Sequence, residues 1–338
     1  MLGSQTNLKT LARLVAGRSS AGRFCADDLA PPLMVPDREF TVHLLDIEGE
    51  GSRRIDTRRG INGDPHEIVY KTGRPSAFVN EDYAISTSIS YEDLASMPVV
   101  SQQVAAEFLA KVLRIDREKK ITATNAALLT SGLTSAPSIT FDNASGVPIT
   151  YLRGVMNTIQ DGSGYRPNRY ATSSRVIDAI AGNAEFLDHI KHDGSAKQLG
   201  LDETANALAK ILGLDKVTYC DVAVNTAARG ATPSFTNLWG EEGLMCYVEP
   251  SPRPVTGSYL LHTVWSNPDT YGQQAGVVDG WVIRAVRNEK RSAWDIIANR
   301  RFDIKSPWGD DATADAATLA MVPAHRITNQ LTASISTP

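Results

Sequence analysis

Cysteine is scarce. The 338-residue chain has three, Cys25, Cys220 and Cys246, an odd number, widely spaced and without a C-x-x-C pair. That excludes a disulfide framework and a zinc ribbon and makes a reducing cytoplasm the natural setting. No run approaches the roughly 18 consecutive apolar residues of a membrane span. Near the start, Leu11 to Ala16 is broken by Arg13, so a secretory leader is not expected. An excess of one charge is also missing: 34 Lys and Arg face 38 Asp and Glu, for a net charge of −4. This balance argues against a dedicated DNA-wrapping protein and leaves room for local basic patches. What remains is ordinary globular material, 42% hydrophobic and 21% charged. The length exceeds the roughly 250–300 residues at which one core stops growing, so two or more substructures are expected.

Catalytic signatures are equally sparse. Gly17 to Phe24 has the glycine spacing of a phosphate-binding loop, but it ends in Arg23-Phe24 where Lys-Ser or Lys-Thr is required, and no strand precedes it. There is no G-x-G-x-x-G after a strand, no G-x-S-x-G elbow and no H-E-x-x-H. The one local ligand-like group is His189 and His192 beside Asp188 and Asp193. Two imidazoles three residues apart could share a metal, which gives a metal-dependent hydrolase using His189, His192 and Asp193 as the alternative from another class. The preferred reading is that both histidines, with Lys191, complement a helix C-terminus. A Ser/His/Asp constellation drawn from distant positions is not readable in a linear chain. No cofactor and no enzymatic activity are therefore expected.

Several elements can be read directly. Residues 4–16 have the spacing of a short amphipathic helix, and the arm up to Ala26 carries Lys9, Arg13, Arg18 and Arg23. Leu29 to Pro36 contains three prolines and is expected to be an extended strap. Strands are expected at 40–48 and 67–71. Between them lie Gly49, Gly51, Gly60 and Gly63 with Arg53, Arg54, Arg58 and Arg59, a composition for a projecting hairpin and not for a core. Short strands follow at 76–80 and 83–89.

A helix is expected from Val99 to Asp116, entered through Pro98, with a second stretch from Glu118 to Leu129 nearly in line. Its apolar stripe comprises Val100, Val104, Phe108, Leu109, Val112, Leu113 and Ile115. Helices at 148–159, 174–180, 183–190 and 203–212 follow, the last closed by Gly213. Strands are expected at 168–172, 216–221, 243–249, 257–265 and 277–288, with shorter extended segments near 301–305 and 318–322. The mixture is α+β with antiparallel sheets.

The order of these elements, together with Phe78 to Ile89, Arg166 to Ile177, Phe186 to Lys191, Leu208 to Val217, Leu238-Trp-Gly and Leu244 to Pro250, resembles the tailed-phage major capsid proteins of the HK97-like fold, in the phage lambda-type group. The resemblance implies an N-terminal arm at 1–37 and an E-loop hairpin at 38–85. It also implies a peripheral domain with a spine helix at 86–147 and 283–338, and an axial domain at 148–282. It implies hexamers and pentamers in an icosahedral head around double-stranded DNA, with a separate scaffolding protein, a portal and decoration proteins as partners. Arg53, Arg54, Arg58 and Arg59 would then meet carboxylates of neighbouring subunits, Glu92, Asp93 and Glu107 among the candidates, while Lys9, Arg13, Arg18 and Arg23 would face the packaged DNA. An encapsulin-like nanocompartment is the alternative within the same fold.

Overall fold

The computed structural model describes residues 23–44, 75–96, 98–130, 132–191, 200–228, 230–265, 275–278, 281–309 and 321–331. Sixteen strands lie among them: β1 (Pro32–Val35), β2 (Glu39–Leu44), β3 (Pro75–Val79), β4 (Glu81–Ser90), β5 (Thr134–Ser135), β6 (Arg169–Ser173), β7 (Lys216–Cys220) and β8 (Ala223–Asn225) in the first half. The second half adds β9 (Phe235–Asn237), β10 (Gly243–Cys246), β11 (Val255–Thr256), β12 (Leu261–Trp265), β13 (Ala275–Val278), β14 (Trp281–Asn288), β15 (Ala293–Lys305) and β16 (Ala324–Ile327).

The largest sheet runs β1-β12-β15-β14-β13, with β4 also paired along β15. A five-stranded sheet runs β5-β16-β10-β6-β7, and β11-β2-β3 forms a smaller one. The spine is a single helix, Pro98–Leu128, of 31 residues. At about 1.5 Å per residue it extends about 45 Å. Proline opens it where the missing N–H costs nothing, and no glycine interrupts it. The two stretches expected on either side of Arg117 are therefore continuous.

The second half of the spine and the residue after it bury Ile121, Leu128 and Leu129 with Val264, Phe302 and Ile304, and the first half buries a narrower row against the large sheet. Ala106, Leu109, Ala110 and Leu113 pack with Ile283, Ile296 and Ala298. Val104 and Phe108, expected on the same stripe, are each 59% exposed. One residue turns the helix by about 100°, so Phe108 points well away from Leu109. A helix lying on a flat sheet has no second wall to cover that side.

Around the five-stranded sheet the helices close a larger core. Pro148–Ser163, Ser174–Ala181, Ala184–Lys191 and Leu201–Leu212 bring Ile149, Leu152, Ile177, Ile180, Phe186 and Leu208 together with Tyr170 and Met245 of the sheet. Glu185 caps the first of these helices from another, accepting the backbone N–H groups of Ile149 at 2.8 Å and Thr150 at 3.0 Å. Gly213 ends the last one with φ of 71°, a left-handed turn that a side chain would strain.

Other expectations are corrected. The segment expected as one strand at 277–288 is two, because Val278 pairs with Trp281. The short piece near 301–305 is the end of the 13-residue β15, the central strand of the large sheet. Of the segment expected at 318–322, residues 318–320 lie outside the described residues, 321 and 322 are not strand, and β16 follows at 324–327. Of the stretch expected at 257–265, only Leu261–Trp265 is strand. The strap at 29–36 begins as the last residue of a four-residue helix, Ala26–Leu29, and continues as β1, parallel to β12. β14 runs through residues 282 and 283, and β16 lies in the five-stranded sheet with β6, β7 and β10.

Candidate assembly surfaces and the anchor of the arm

The stem of the expected hairpin is well defined. β2 and β3 pair antiparallel from Glu39↔Val79 to His43↔Pro75, so the chain departs after Leu44 and returns at Pro75 on adjacent strands. Val42 and Phe78 are fully buried against Leu261, which ties the stem to β12 of the large sheet. Arg53, Arg54, Arg58 and Arg59 lie outside the described residues, between these two points. Of their expected partners, Glu92 and Asp93 are exposed on the short helix Tyr91–Ser96, and Glu107 is partly exposed on the spine.

Residues 23–30 are tied into the fold at several points. Lys9, Arg13 and Arg18 lie outside the described residues, but Arg23 is held by Asp202 and Asp221 of its own chain and stacks 4.8 Å from the Tyr219 ring. Two residues on, the buried carboxylate of Glu118 accepts the backbone N–H groups of Cys25 and Ala26, each at 3.0 Å, and the indole N–H of Trp239 at 2.8 Å. Asp27 pairs with Arg117 at 2.7 Å, and Asp28 with Lys216 at 2.6 Å. One short segment thus touches the spine helix, the five-stranded sheet and, through β1, the large sheet.

Electrostatics at this anchor follow from burial. Desolvation raises the pKa of Glu118, opposed by the N–H donors and by Arg117. Desolvation would also raise Asp27, but Arg117, with Arg300 and Arg114 behind it, holds that carboxyl below its ordinary value. Burial and then Glu118 push Cys25 well above the ordinary thiol range and Cys220 up to about 12. Burial likewise pushes Cys246 up to about 12. All three thiols stay protonated, which removes them as nucleophiles at neutral pH.

A serine–histidine contact that no linear reading could locate joins β5 to β16. Ser135 Oγ lies 2.8 Å from His325 Nε2 and 2.6 Å from the Tyr151 hydroxyl. Burial lowers the His325 pKa, and among the described residues no carboxylate orients the ring. The arrangement is a polar tie between sheet and helix and lacks the third member of a triad. His189 sits in the last turn of Ala184–Lys191, while His192 and Asp193 lie outside the described residues.

Large apolar side chains stand open in several places. Besides Val104 and Phe108 they include Phe235 at 69% on the β8–β9 hairpin, Val147, Leu187 and Val286. Val104 and Phe108, four residues apart on the spine, share one helix face, whereas single exposed apolar residues are ordinary on a protein surface.

No family model and no curated protein matches the chain. Solved structures do match in fold. A phage-related protein from Bordetella bronchiseptica RB50 superposes with a TM-score of 0.64 at 14% identity, covering 95% of this chain and 96% of that one. A structure from Mycobacterium phage Bobi gives 0.53 at 12% identity, covering 96% and 98%. Another, from Microbacterium phage Oxtober96, gives 0.53 at 11% identity, covering 92% of each chain. Over nearly its whole length the chain has the mixed α+β fold of these phage and phage-related structures.

Proposed function

We propose that the chain is a major capsid protein of the HK97-like type, which self-assembles as hexamers and pentamers into an icosahedral phage head around double-stranded DNA. The observation that carries this reading is the end-to-end agreement in fold with a phage-related protein, 95% of one chain against 96% of the other. The hairpin stem at Leu44 and Pro75 and the open apolar residues on the spine support it, since both offer surfaces to a neighbouring copy. On this reading the protein is structural and not an enzyme. It assembles in the host bacterial cytoplasm and ends in the virion.

Residues 1–37 act as the arm, 38–85 as the E-loop, 86–147 with 283–338 as the peripheral domain and 148–282 as the axial domain, allowing for strands that cross those limits. Arg53, Arg54, Arg58 and Arg59 reach carboxylates of a neighbour. Each exposed pair contributes about 0–1 kcal/mol, and a closed symmetric shell multiplies it. Arg23 is engaged within its own chain, so contact with DNA phosphates falls to Lys9, Arg13 and Arg18. A separate scaffolding protein, a portal and decoration proteins complete the assembly.

The test is negative-stain microscopy and sedimentation of the purified chain, alone and co-expressed with a scaffolding protein. Shells, or rings of five and six, are expected. A small monodisperse oligomer under both conditions would remove the reading. Neutralising Lys9, Arg13 and Arg18 should leave assembly intact and alter genome retention; unchanged packaging would remove the DNA role of the arm.

A further inference from the structure

β8 and β9 form a two-stranded sheet of their own, paired from Ala223↔Asn237 to Asn225↔Phe235. So short a hairpin is marginal in water unless something covers it. One face is covered: Val222 is buried in the core below, and Val224 and Leu238 pack against that core. Strand alternation puts Asp221, Ala223 and Asn225 on the opposite face, and all three are exposed. Phe235 stands across from Asn225 on that same outer face and is 69% exposed. From Val222 to Leu238 the sequence holds one charged residue, Arg229, so the face lacks the charges that usually guard an exposed strand pair.

A single open phenylalanine is ordinary; the route of the chain sets this one apart. Residues 1–22 lie outside the described residues, and the first described residue, Arg23, donates its backbone N–H to the Asp221 carboxylate while Asp202 holds its guanidinium. The N-terminal segment therefore arrives at the root of the hairpin, on the face that Phe235 occupies. From Asp221 to Asn225 is about 13 Å of strand, at about 3.3 Å per residue. Gly17 to Gly22 are six residues and span up to roughly 20 Å when extended. That is enough to bring residues 4–16, whose spacing predicts an amphipathic helix, back over the hairpin. At about 100° per residue, Leu8, Leu11, Ala12 and Val15 share one side of that helix, and Lys9 and Arg13 lie on the other.

We propose that the outer face of the β8–β9 hairpin is the docking surface for residues 4–16 of its own chain, bound as an amphipathic helix with Leu8, Leu11 and Val15 over Phe235. The short link favours the chain's own segment over that of a second copy, because it holds the segment at an effective concentration of about millimolar. Docked in this way, Lys9 and Arg13 point away from the hairpin toward any external polyanion. The contact is complete within one chain, so it can fail while the shell-forming reading stands, and the reverse.

The experiment uses the unassembled full chain. Leu11→Cys combined with Phe235→Cys is treated with a short bis-maleimide; the native thiols Cys25, Cys220 and Cys246 are buried. The expected product is a chain of monomer mass in which peptides containing positions 11 and 235 are joined. It should form about tenfold or more faster than the link in Leu11→Cys with Leu187→Cys, whose second site is an equally open apolar position on the helix Ala184–Lys191. Amide exchange across residues 4–16 should be about tenfold faster in Phe235→Ser than in wild type, an exposed substitution that leaves the fold intact. A product of dimer mass, equal rates for the two cysteine pairs, or exchange at 4–16 unchanged by Phe235→Ser would overturn the proposal.

Discussion

The two sheets solve the same burial problem in opposite ways. The five-stranded sheet is enclosed by four helices whose contacts are Ile, Leu, Phe and Met, a core complete within one chain. Under the first half of the spine, by contrast, the apolar cluster is small and rich in alanine, and it gives way to Arg117, Arg300 and His262 before Ile121, Leu128 and Leu129 join a core with Val264, Phe302 and Ile304. The outer side of the same helix leaves Val104 and Phe108 open. One half is a closed core, and the other leaves apolar side chains open, the surface that the proposed assembly would use.

If that contrast is right, the largest loss of monomer stability should come from the enclosed core. Phe186→Ala, fully buried among four helices, should cost about 3–5 kcal/mol in urea unfolding. A cost near zero would break the comparison at once.

Glu118→Ala, at the junction of the two halves, comes next. It leaves the donors of Cys25, Ala26 and Trp239 without their acceptor, at about 1–3 kcal/mol for each. The total should be at least about 3 kcal/mol, and protease should gain access near residues 23–30. Glu118→Gln sharpens the point through pH. Because the folded-state pKa of Glu118 is raised, its proton-linked stabilisation is complete below the ordinary glutamate pKa of 4.5 and is lost as pH rises through the folded value. The stability of Glu118→Gln relative to wild type should therefore increase from acid toward neutral pH. A difference independent of pH would show that the carboxyl does not titrate differently in the fold.

A third variant separates the halves by assay. Val104→Ser with Phe108→Ser should change monomer unfolding by no more than about 0.5 kcal/mol. Assembly should respond instead. Covering such side chains is worth about 1.5–3 kcal/mol, so the concentration needed for shells should rise by about tenfold or more, read by sedimentation. The smallest effect belongs to Asp202→Asn, which removes an exposed partner of Arg23 and should cost about 0–1 kcal/mol.

Legibility in the sequence followed the same division. The helices of the enclosed half keep a clear apolar rhythm and glycine ends, and their positions were readable to within a few residues. On the spine, Arg117-Glu118 looked like a break, since charged residues in a helix normally face water. Here both are buried, one answered by Asp27 and the other by two backbone N–H groups and an indole. β15 was hidden for a related reason: Asn299, Arg300 and Arg301 interrupt its apolar alternation. They are nonetheless covered, with Asp82 of β4 near both Asn299 and Arg301 at 3.5 Å. The separation of β13 from β14 is signalled in the sequence by Asp279-Gly280, a dipeptide that favours tight turns, which the expectation of one strand at 277–288 passes over. The anchor at residues 23–30 could not be read at all, because its partners lie about a hundred or more positions away.

The place of β15 and β16 in their sheets also bears on the timing of folding. Ser88 of β4 meets Asp295 of β15 across 207 positions of sequence, and β16 lies between β5 and β10 instead of at an edge. Pairings of such high contact order form slowly and only after both partners have left the ribosome. Neither sheet can close until residue 305 has been made for one and residue 327 for the other. A nascent or truncated chain is thus unable to complete either sheet, and on the proposed reading the topology itself would delay association until synthesis has passed both strands.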